Sequence, residues 1–129
     1  MICETIKYTD YDGNDREEQF YFNLNQAECM KLELGTTGGL KKTIERIISE
    51  QDTVQIIKLF EEIVLKAYGE KSPDGKYFMK SPEIYAKFAS TEAYSQLFMK
   101  LATDAAYATK FMEGVLPKNA DIVPLNPNN

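Results

Sequence analysis

The stretch that decides the fold is Ala67–Leu101, which reads AYGEKSPDGKYFMKSPEIYAKFASTEAYSQLFMKL. Gly69 is predicted to end a helix in the left-handed conformation, and Ser72–Gly75 has the residue types of a reverse turn. Ser81–Pro82 is a helix start, because a hydroxyl can cap the first-turn amides and proline already has the helical φ. Thr91 is a second helix start. The stretch therefore predicts a helix end, a turn with a loop or small hairpin, and two further helices.

The N-terminal segment predicts a β-hairpin. Apolar and polar residues alternate over Ile2–Tyr8, and Arg16–Asn23 is the predicted partner strand. Asp10–Asp15 between them is rich in aspartate, but its glycine falls at the fourth place rather than the sixth that a calcium loop needs, so we predict a turn. The aromatic run Phe20–Phe22 places rings on both faces of its strand and predicts that both faces are covered.

The remaining chain predicts helices. Asn25, with Glu28 three residues later, is a capping-box-like start of a helix that ends near Gly35, and Leu40–Gln51 predicts a second helix. Apolar residues cover most of the circumference of Thr53–Tyr68, which predicts a deeply buried central helix.

The last predicted helix is long. Its apolar residues recur every three or four positions from Thr91 to Glu113, and Gly114 is the predicted stop. The predicted fold class is α+β, an N-terminal β-hairpin packed on a mainly helical domain of four to five helices. We expect one domain over residues 1–116 and a flexible tail rich in proline and asparagine over residues 117–129.

Composition limits the functions that this chain can have. It has 129 residues, of which 43% are hydrophobic, and a net charge of −5, which disfavours binding to nucleic acid. The absence of histidine excludes the usual zinc sites and His-based catalytic triads, and two isolated cysteines form no metal or disulfide motif. No run reaches the roughly 20 apolar residues of a membrane span. We therefore predict a non-enzymatic protein of a reducing compartment, without cofactor or metal.

A particular order of turn, cap and core residues extends over residues 1–117. Its members are Tyr8–Gly13, Phe20–Leu24, Ala67–Ser72, Asp74–Lys76, Phe78, Lys80–Ser81, Thr91–Tyr94, Leu97–Phe98, Asp104 and Phe111. This order resembles the tail assembly chaperones of long-tailed, Siphoviridae-like phages or prophages of Gram-positive bacteria. None of these residues is a catalytic signature, so the resemblance depends on the whole pattern.

The resemblance implies a scaffolding factor of virion assembly. Such a protein binds the long, helical, apolar tape measure protein, keeps it soluble in the host cytoplasm, and promotes assembly of the tail tube around it. It is absent from the mature virion. The family also makes a longer product by ribosomal frameshifting, and the extension contacts the tail tube protein. This chain is expected to be the short form.

Pro117–Asn119 is the predicted position of the frameshift. Its codons can read CCA-AAA-AAC, which contains the heptamer A-AAA-AAC, where both tRNAs could pair again one nucleotide back. The ribosome would then leave the frame that encodes Ala120–Asn129. Coincidence is the alternative, because Lys-Asn after Pro is not rare.

Three residues are the predicted partner contacts: Met99, Tyr107 and Phe111 lie off the main apolar stripe of the last helix. They either cover neighbouring core or form an exposed patch that marks a partner site. Whether the chain is a homo-oligomer is left open.

The alternative function is a small DNA-binding or regulatory module built on Gly35–Gln51. The glycines at the start of this segment resemble a phosphate loop, but the required Gly-Lys-Ser/Thr is missing. An enzyme without histidine is the third hypothesis, and no set of residues converges to support it.

Overall fold

The computed structural model describes residues 1–34 and 53–116 and five isolated residues between them, which are Gly39, Lys42, Glu45, Arg46 and Ser49. The last four of these are helical. Most of the predicted helix Leu40–Gln51 and of the glycine-rich segment before it lies outside the described residues. The predicted tail, 117–129, lies outside them too.

The described part of the chain contains a four-stranded antiparallel sheet and five helices. In chain order the elements are β1 (Ile2–Thr9), β2 (Asp15–Phe22), α1 (Gln26–Leu34), α2 (Thr53–Ala67), β3 (Tyr68–Lys71), β4 (Phe78–Met79), α3 (Pro82–Ala89), α4 (Glu92–Thr103) and α5 (Ala105–Val115). The strands follow one another across the sheet in the order β1-β2-β3-β4. This architecture confirms the predicted α+β class, with the N-terminal hairpin packed on helices.

The turn between β1 and β2 is held by Asp10. One oxygen of its carboxylate accepts hydrogen bonds from the amides of Asp12 and Asn14, both at 2.9 Å. Its other oxygen lies 2.6 Å from Nε of Arg16. Gly13 has a φ of 84°, the left-handed conformation that such a turn requires. The aspartate therefore builds a hairpin turn, as the sequence predicts.

The second hairpin confirms one prediction and corrects another. Gly75 has a φ of 79° and its amide donates to the Ser72 carbonyl at 2.9 Å, which is the predicted reverse turn. Gly69, however, does not end a helix, because α2 passes directly into β3 and Gly69 pairs with Tyr21. A Cβ at Gly69 would lie 2.7 Å from Cε2 of Phe78, so the close approach of that ring explains the glycine.

The predicted helix starts are confirmed. Asn25 and Glu28 form a reciprocal capping box, in which each side chain accepts from the other's amide at 2.8 and 3.0 Å. Oγ of Ser81 accepts from the amide of Ile84 at 3.1 Å, and Thr91 caps α4 in the same way. Local hydrogen-bonding chemistry therefore sets where α1, α3 and α4 begin.

The predicted long last helix is wrong, since the chain forms two helices that meet at Asp104. Asp104 has an extended backbone, with φ −128° and ψ 97°, and its carboxylate accepts from the amide of Tyr107 at 3.0 Å. A capped new start therefore interrupts the apolar repeat. Gly114 is not a stop either, because it lies inside α5, where a Cβ would approach Cγ2 of Ile2 to 2.3 Å.

Aromatic side chains fill the interior between the sheet and α3, α4 and α5. Phe88 stacks on Tyr68 with ring centroids 4.2 Å apart and planes 13° from parallel. Phe22 meets Phe88 and Phe111 edge to face at 5.6 and 5.2 Å. Phe22, Phe88 and Phe111 are each at most 2% exposed. An aromatic cluster therefore lies within a core whose other buried side chains are mostly aliphatic.

The opposite face of the β1–β2 hairpin is exposed. Cys3, Thr5 and Lys7 point outward, while Tyr21 is half-buried, with the ammonium of Lys71 5.6 Å from its ring centroid. The outer face is therefore covered only in part, at Tyr21, and not along the hairpin as a whole. An antiparallel hairpin can leave one face in water because its backbone groups are satisfied within the sheet.

The central helix α2 is less buried than predicted. Its fully buried side chains form one stripe of Phe60, Ile63, Val64 and Ala67. Ile56, Ile57, Leu59 and Leu65 are half-buried, and Val54 is 61% exposed. The helix therefore has one deeply buried side and wide apolar flanks.

Candidate functional site

Phenylalanine and methionine are distributed differently between interior and surface. None of the seven phenylalanines is exposed, whereas four of the five methionines are. Methionine is unbranched, polarisable and able to adapt to varied partners, so exposed methionines favour contact with another protein. Met99, which is 56% exposed on α4, is one of them.

Met99 lies on a surface of small residues. We define the α4–α5 surface as the exposed residues Met99, Ala102, Thr103, Ala105, Ala106 and Thr109. The hydroxyl of Thr103 donates to the carbonyl of Met99 at 2.7 Å, and the hydroxyl of Thr109 donates to that of Ala105 at 3.0 Å. Because these hydroxyls already have partners within their own helices, covering the α4–α5 surface costs little in lost hydrogen bonds to water.

The structure places the other two predicted contact residues deeper. Tyr107 and Phe111 lie together on α5, with ring centroids 6.3 Å apart. Phe111 is 1% exposed and belongs to the aromatic interior, whereas Tyr107 is half-buried. Burial, together with the charge of Glu4 on β1, raises the pKa of Tyr107, so this phenol stays protonated.

Lys100 lies over the outer side of Tyr107. Its ammonium is 4.1 Å from the centroid of the ring, a cation–π distance. Lys100 directly follows Met99, so a flexible cation separates the predicted methionine contact from the predicted tyrosine contact.

The sequence analysis included Asp104 in the family-like pattern but missed its role as a helix cap. The extended backbone at Asp104 separates α4 from α5, and its carboxylate caps the first turn of α5 through the amide of Tyr107. The available signal was the residue type, since aspartate is among the preferred N-caps. It was overlooked because the apolar repeat continues across the break.

A second surface feature is a groove of about 370 Å³ between α1, α2 and the start of α3. Leu24, Leu32, Leu65, Pro82 and Tyr85 form its apolar wall. Its polar lining includes three lysines and one glutamate: Lys31, Lys66, Lys80 and Glu28. Sequence reasoning missed this groove because its wall comes from three separate elements.

Lys80 joins the elements around this groove. Its ammonium lies 2.7 Å from the carboxylate of Glu28 on α1 and 2.6 Å from the carbonyl of Asn23. This ion pair is partly buried, with side-chain exposures of 19% and 30%. It therefore fixes α1 against the chain that leads into α3.

The comparison with known families decides the class of this protein. The family model described as phage tail assembly chaperone matches residues 1–123. This chain belongs to the phage tail assembly chaperone family. No curated protein and no solved structure matches the chain significantly. Tail assembly chaperones are not known as enzymes, so the surfaces above are considered as sites of protein contact.

The cysteines of this tail assembly chaperone differ in exposure. Cys29 is fully buried, and burial raises the pKa of its thiol, which lowers its reactivity. Cys3 is exposed and both cysteines are free. Within residues 1–34 and 53–116 no three acidic or cysteine residues group as metal ligands. No described helix is both long enough and apolar enough to span a bilayer.

Proposed function

We propose that this chaperone binds the tape measure protein of its phage, keeps it soluble in the host cytoplasm, and promotes assembly of the tail tube around it. The observation that carries the proposal is the family match over residues 1–123. The partner is an aggregation-prone helical protein, so the task is reversible burial of an apolar helix face. The net charge of −5 helps to keep the complexes dispersed.

The α4–α5 surface suits such a partner. Alanine and threonine let a partner helix come close, because the distance between packed helices depends on the side chains at the contact. Met99 then adds a long, adaptable apolar group at one end of the surface. The proposed contact therefore has a flexible anchor beside small residues, with the exposed charges of Lys100, Asp104 and Lys110 on the same stretch of chain.

Tyr107 and Phe111 have different parts in this contact. We propose that the accessible side of Tyr107 joins Met99 when Lys100 swings away. Phe111, at 1% exposure, supports Tyr107 from below through the ring contact at 6.3 Å. The expected partner-binding set, Met99, Tyr107 and Phe111, thus combines an anchor, a half-buried ring and its support.

A longer form is the second part of the proposal. Residues 1–116 would form the chaperone domain of both products, and residues 117–129 would be the tail of the short form. Frameshifting at Pro117–Asn119 would replace Ala120–Asn129 by an extension that contacts the tail tube protein. The end of α5 at Val115 supports this division, because an exchange after that point leaves the described core unaltered.

Co-expression tests the chaperone role. The tape measure protein of the same genome is expressed with this chain, without it, and with an acidic protein of similar size. We expect a soluble tape measure protein only with this chain. Equal solubility in all three cultures would contradict the proposal, and a purified soluble complex would support it.

Reading the gene tests the longer form. We expect the A-AAA-AAC heptamer at Pro117–Asn119 and an open reading frame at minus one beyond it. Synonymous codons that lack the heptamer would place the frameshift elsewhere, or nowhere in this gene.

A further inference from the structure

The groove between α1, α2 and α3 is an apolar surface at the place where the chain leaves the fold. Leu24, which lines it, is 1% exposed, and its amide donates to the carbonyl of Val115 at 3.0 Å. Val115 is the last residue of α5, and Leu116 packs against the core. The segment that follows, residues 117–129, therefore starts next to the groove.

The length of this segment is sufficient to enter the groove. Each extended residue spans at most about 3.3–3.6 Å, so the five steps from Leu116 to Asp121 reach roughly 17 Å. Beyond Ala120 the apolar residues of the chain are concentrated in Asp121–Leu125, which reads DIVPL. The apolar part of the tail thus begins only five residues after Leu116, whose neighbour Val115 is hydrogen-bonded to Leu24 of the groove.

We propose that Asp121–Leu125 of the same chain binds in this groove. Ile122, Val123 and Leu125 would cover Leu32, Leu65 and Tyr85. Pro124 has no amide hydrogen, so burying it leaves no donor without a partner.

The charges are also complementary. Three lysines line the groove against one glutamate, and Lys80 is already paired with that glutamate, Glu28. Lys66 is paired with Glu62, one turn earlier on α2, at 2.9 Å. Asp121 would bring a negative charge to this predominantly basic lining. This basic lining contrasts with the chain as a whole, which is acidic, with a net charge of −5.

Docking of the tail does not depend on the chaperone role. It covers apolar wall that would otherwise be open to water or to other proteins. One consequence does rest on the proposed function: a longer form that lacks Ala120–Asn129 would have an open groove, so the two products would differ in accessible surface.

Disulfide trapping in the full-length chain tests the proposal. The background carries Cys3→Ser, and Cys29 remains because it is fully buried. Asn126→Cys is combined with Tyr85→Cys in the groove or with Tyr77→Cys, which is 64% exposed on the β3–β4 hairpin. The equilibrium yield of the intramolecular disulfide in a glutathione buffer measures the effective concentration of the two cysteines. We expect this effective concentration to be roughly tenfold higher for the Tyr85 pair than for the Tyr77 pair.

A matched tail variant separates docking from random collision. Ile122→Ser with Val123→Ser keeps the same pair of cysteines, the same chain length and the described core, so only the apolar contact changes. We expect the advantage of the Tyr85 pair to fall to the level of the Tyr77 pair. An equal yield of disulfide in this variant and its parent would overturn the proposal.

Two further outcomes are informative. Lys31→Glu should weaken trapping several-fold, and adding Asp121→Lys should restore it if the charges meet. A disulfide that forms only between two chains would assign the segment to a second copy and overturn intramolecular docking. Circular dichroism melts of all variants check that the fold is intact.

Discussion

The interior beneath the sheet and the α4–α5 surface use different kinds of apolar side chain. Phe22, Phe88 and Phe111 meet ring to ring at 5.2–5.6 Å around Phe22 and are at most 2% exposed. On the α4–α5 surface Met99 is 56% exposed among alanines and threonines. The rigid rings are buried where one arrangement must be specified, and the flexible thioether is exposed where contacts can vary.

This difference has a physical basis. Aromatic rings have few rotatable bonds and preferred mutual geometries, so burying several together favours a single packing. Methionine has three rotatable bonds and tolerates many surroundings. If the two regions have these separate roles, substitutions in the interior should change folding, and substitutions on the surface should change binding.

The largest effect is expected from Phe22→Ala. Phe22 is 0% exposed and touches the rings of Tyr68, Phe88 and Phe111. Removing its ring should lower the free energy of unfolding by about 3–5 kcal/mol, because the site loses transfer free energy and gains a cavity. Denaturant unfolding followed by circular dichroism measures this change. Phe22→Leu should lower the free energy of unfolding clearly less than Phe22→Ala. Equal losses in the two variants would mean that the size and contacts of the side chain do not matter at this position.

A smaller effect, confined to binding, is expected from Met99→Asp. Truncating or charging a true anchor costs about 2 kcal/mol or more, so the affinity for the proposed partner, the tape measure protein, should weaken roughly 30-fold. The matched control is Met79→Asp, since Met79 is 53% exposed on β4. Both variants should unfold within about 0.5 kcal/mol of the parent. Loss of stability with intact binding would make Met99 a structural residue.

Asp104→Ala tests the boundary between the two regions. The carboxylate caps α5 and fixes the backbone that carries Tyr107 and Phe111. Its loss should lower the free energy of unfolding by about 1 kcal/mol, a typical value for an N-cap. Asp104→Asn keeps an accepting oxygen and should be nearly neutral. If both substitutions lowered the free energy of unfolding equally, the capping hydrogen bond would not be what stabilises the interruption between α4 and α5.

The smallest effect is a dependence of stability on pH at the hairpin turn, away from both regions. Hydrogen bonds from Arg16 and then from the amide of Asn14 hold the pKa of Asp10 below its ordinary value of 3.8. The pKa of Asp10 is lower in the folded state than in the unfolded state, so the ionised carboxylate stabilises the fold. This contribution to stability is complete above pH 3.8 and is lost as the pH falls through the folded-state pKa. Unfolding midpoints near pH 5 and pH 2.5 should differ less in Asp10→Asn than in the parent.

The sequence by itself determined the features that depend on near neighbours. The strands over Ile2–Tyr8 and Arg16–Asn23, the turn at Ser72–Gly75 and the helix starts at Ser81 and Thr91 were all predictable. Each depends on hydrogen bonds and backbone angles within a few residues, so residue type and spacing contain the necessary information. The α+β class followed from the order of these elements.

The tertiary structure decided what depends on distant neighbours. Gly69 lies in a strand because the ring of Phe78 occupies the place of a side chain, and Gly114 stays helical because Ile2 packs against it. Phe111 belongs to the interior because Phe22 comes to it from β2. A periodic pattern shows which residues share a helix face, but only packing decides whether that face meets the core, a groove or water.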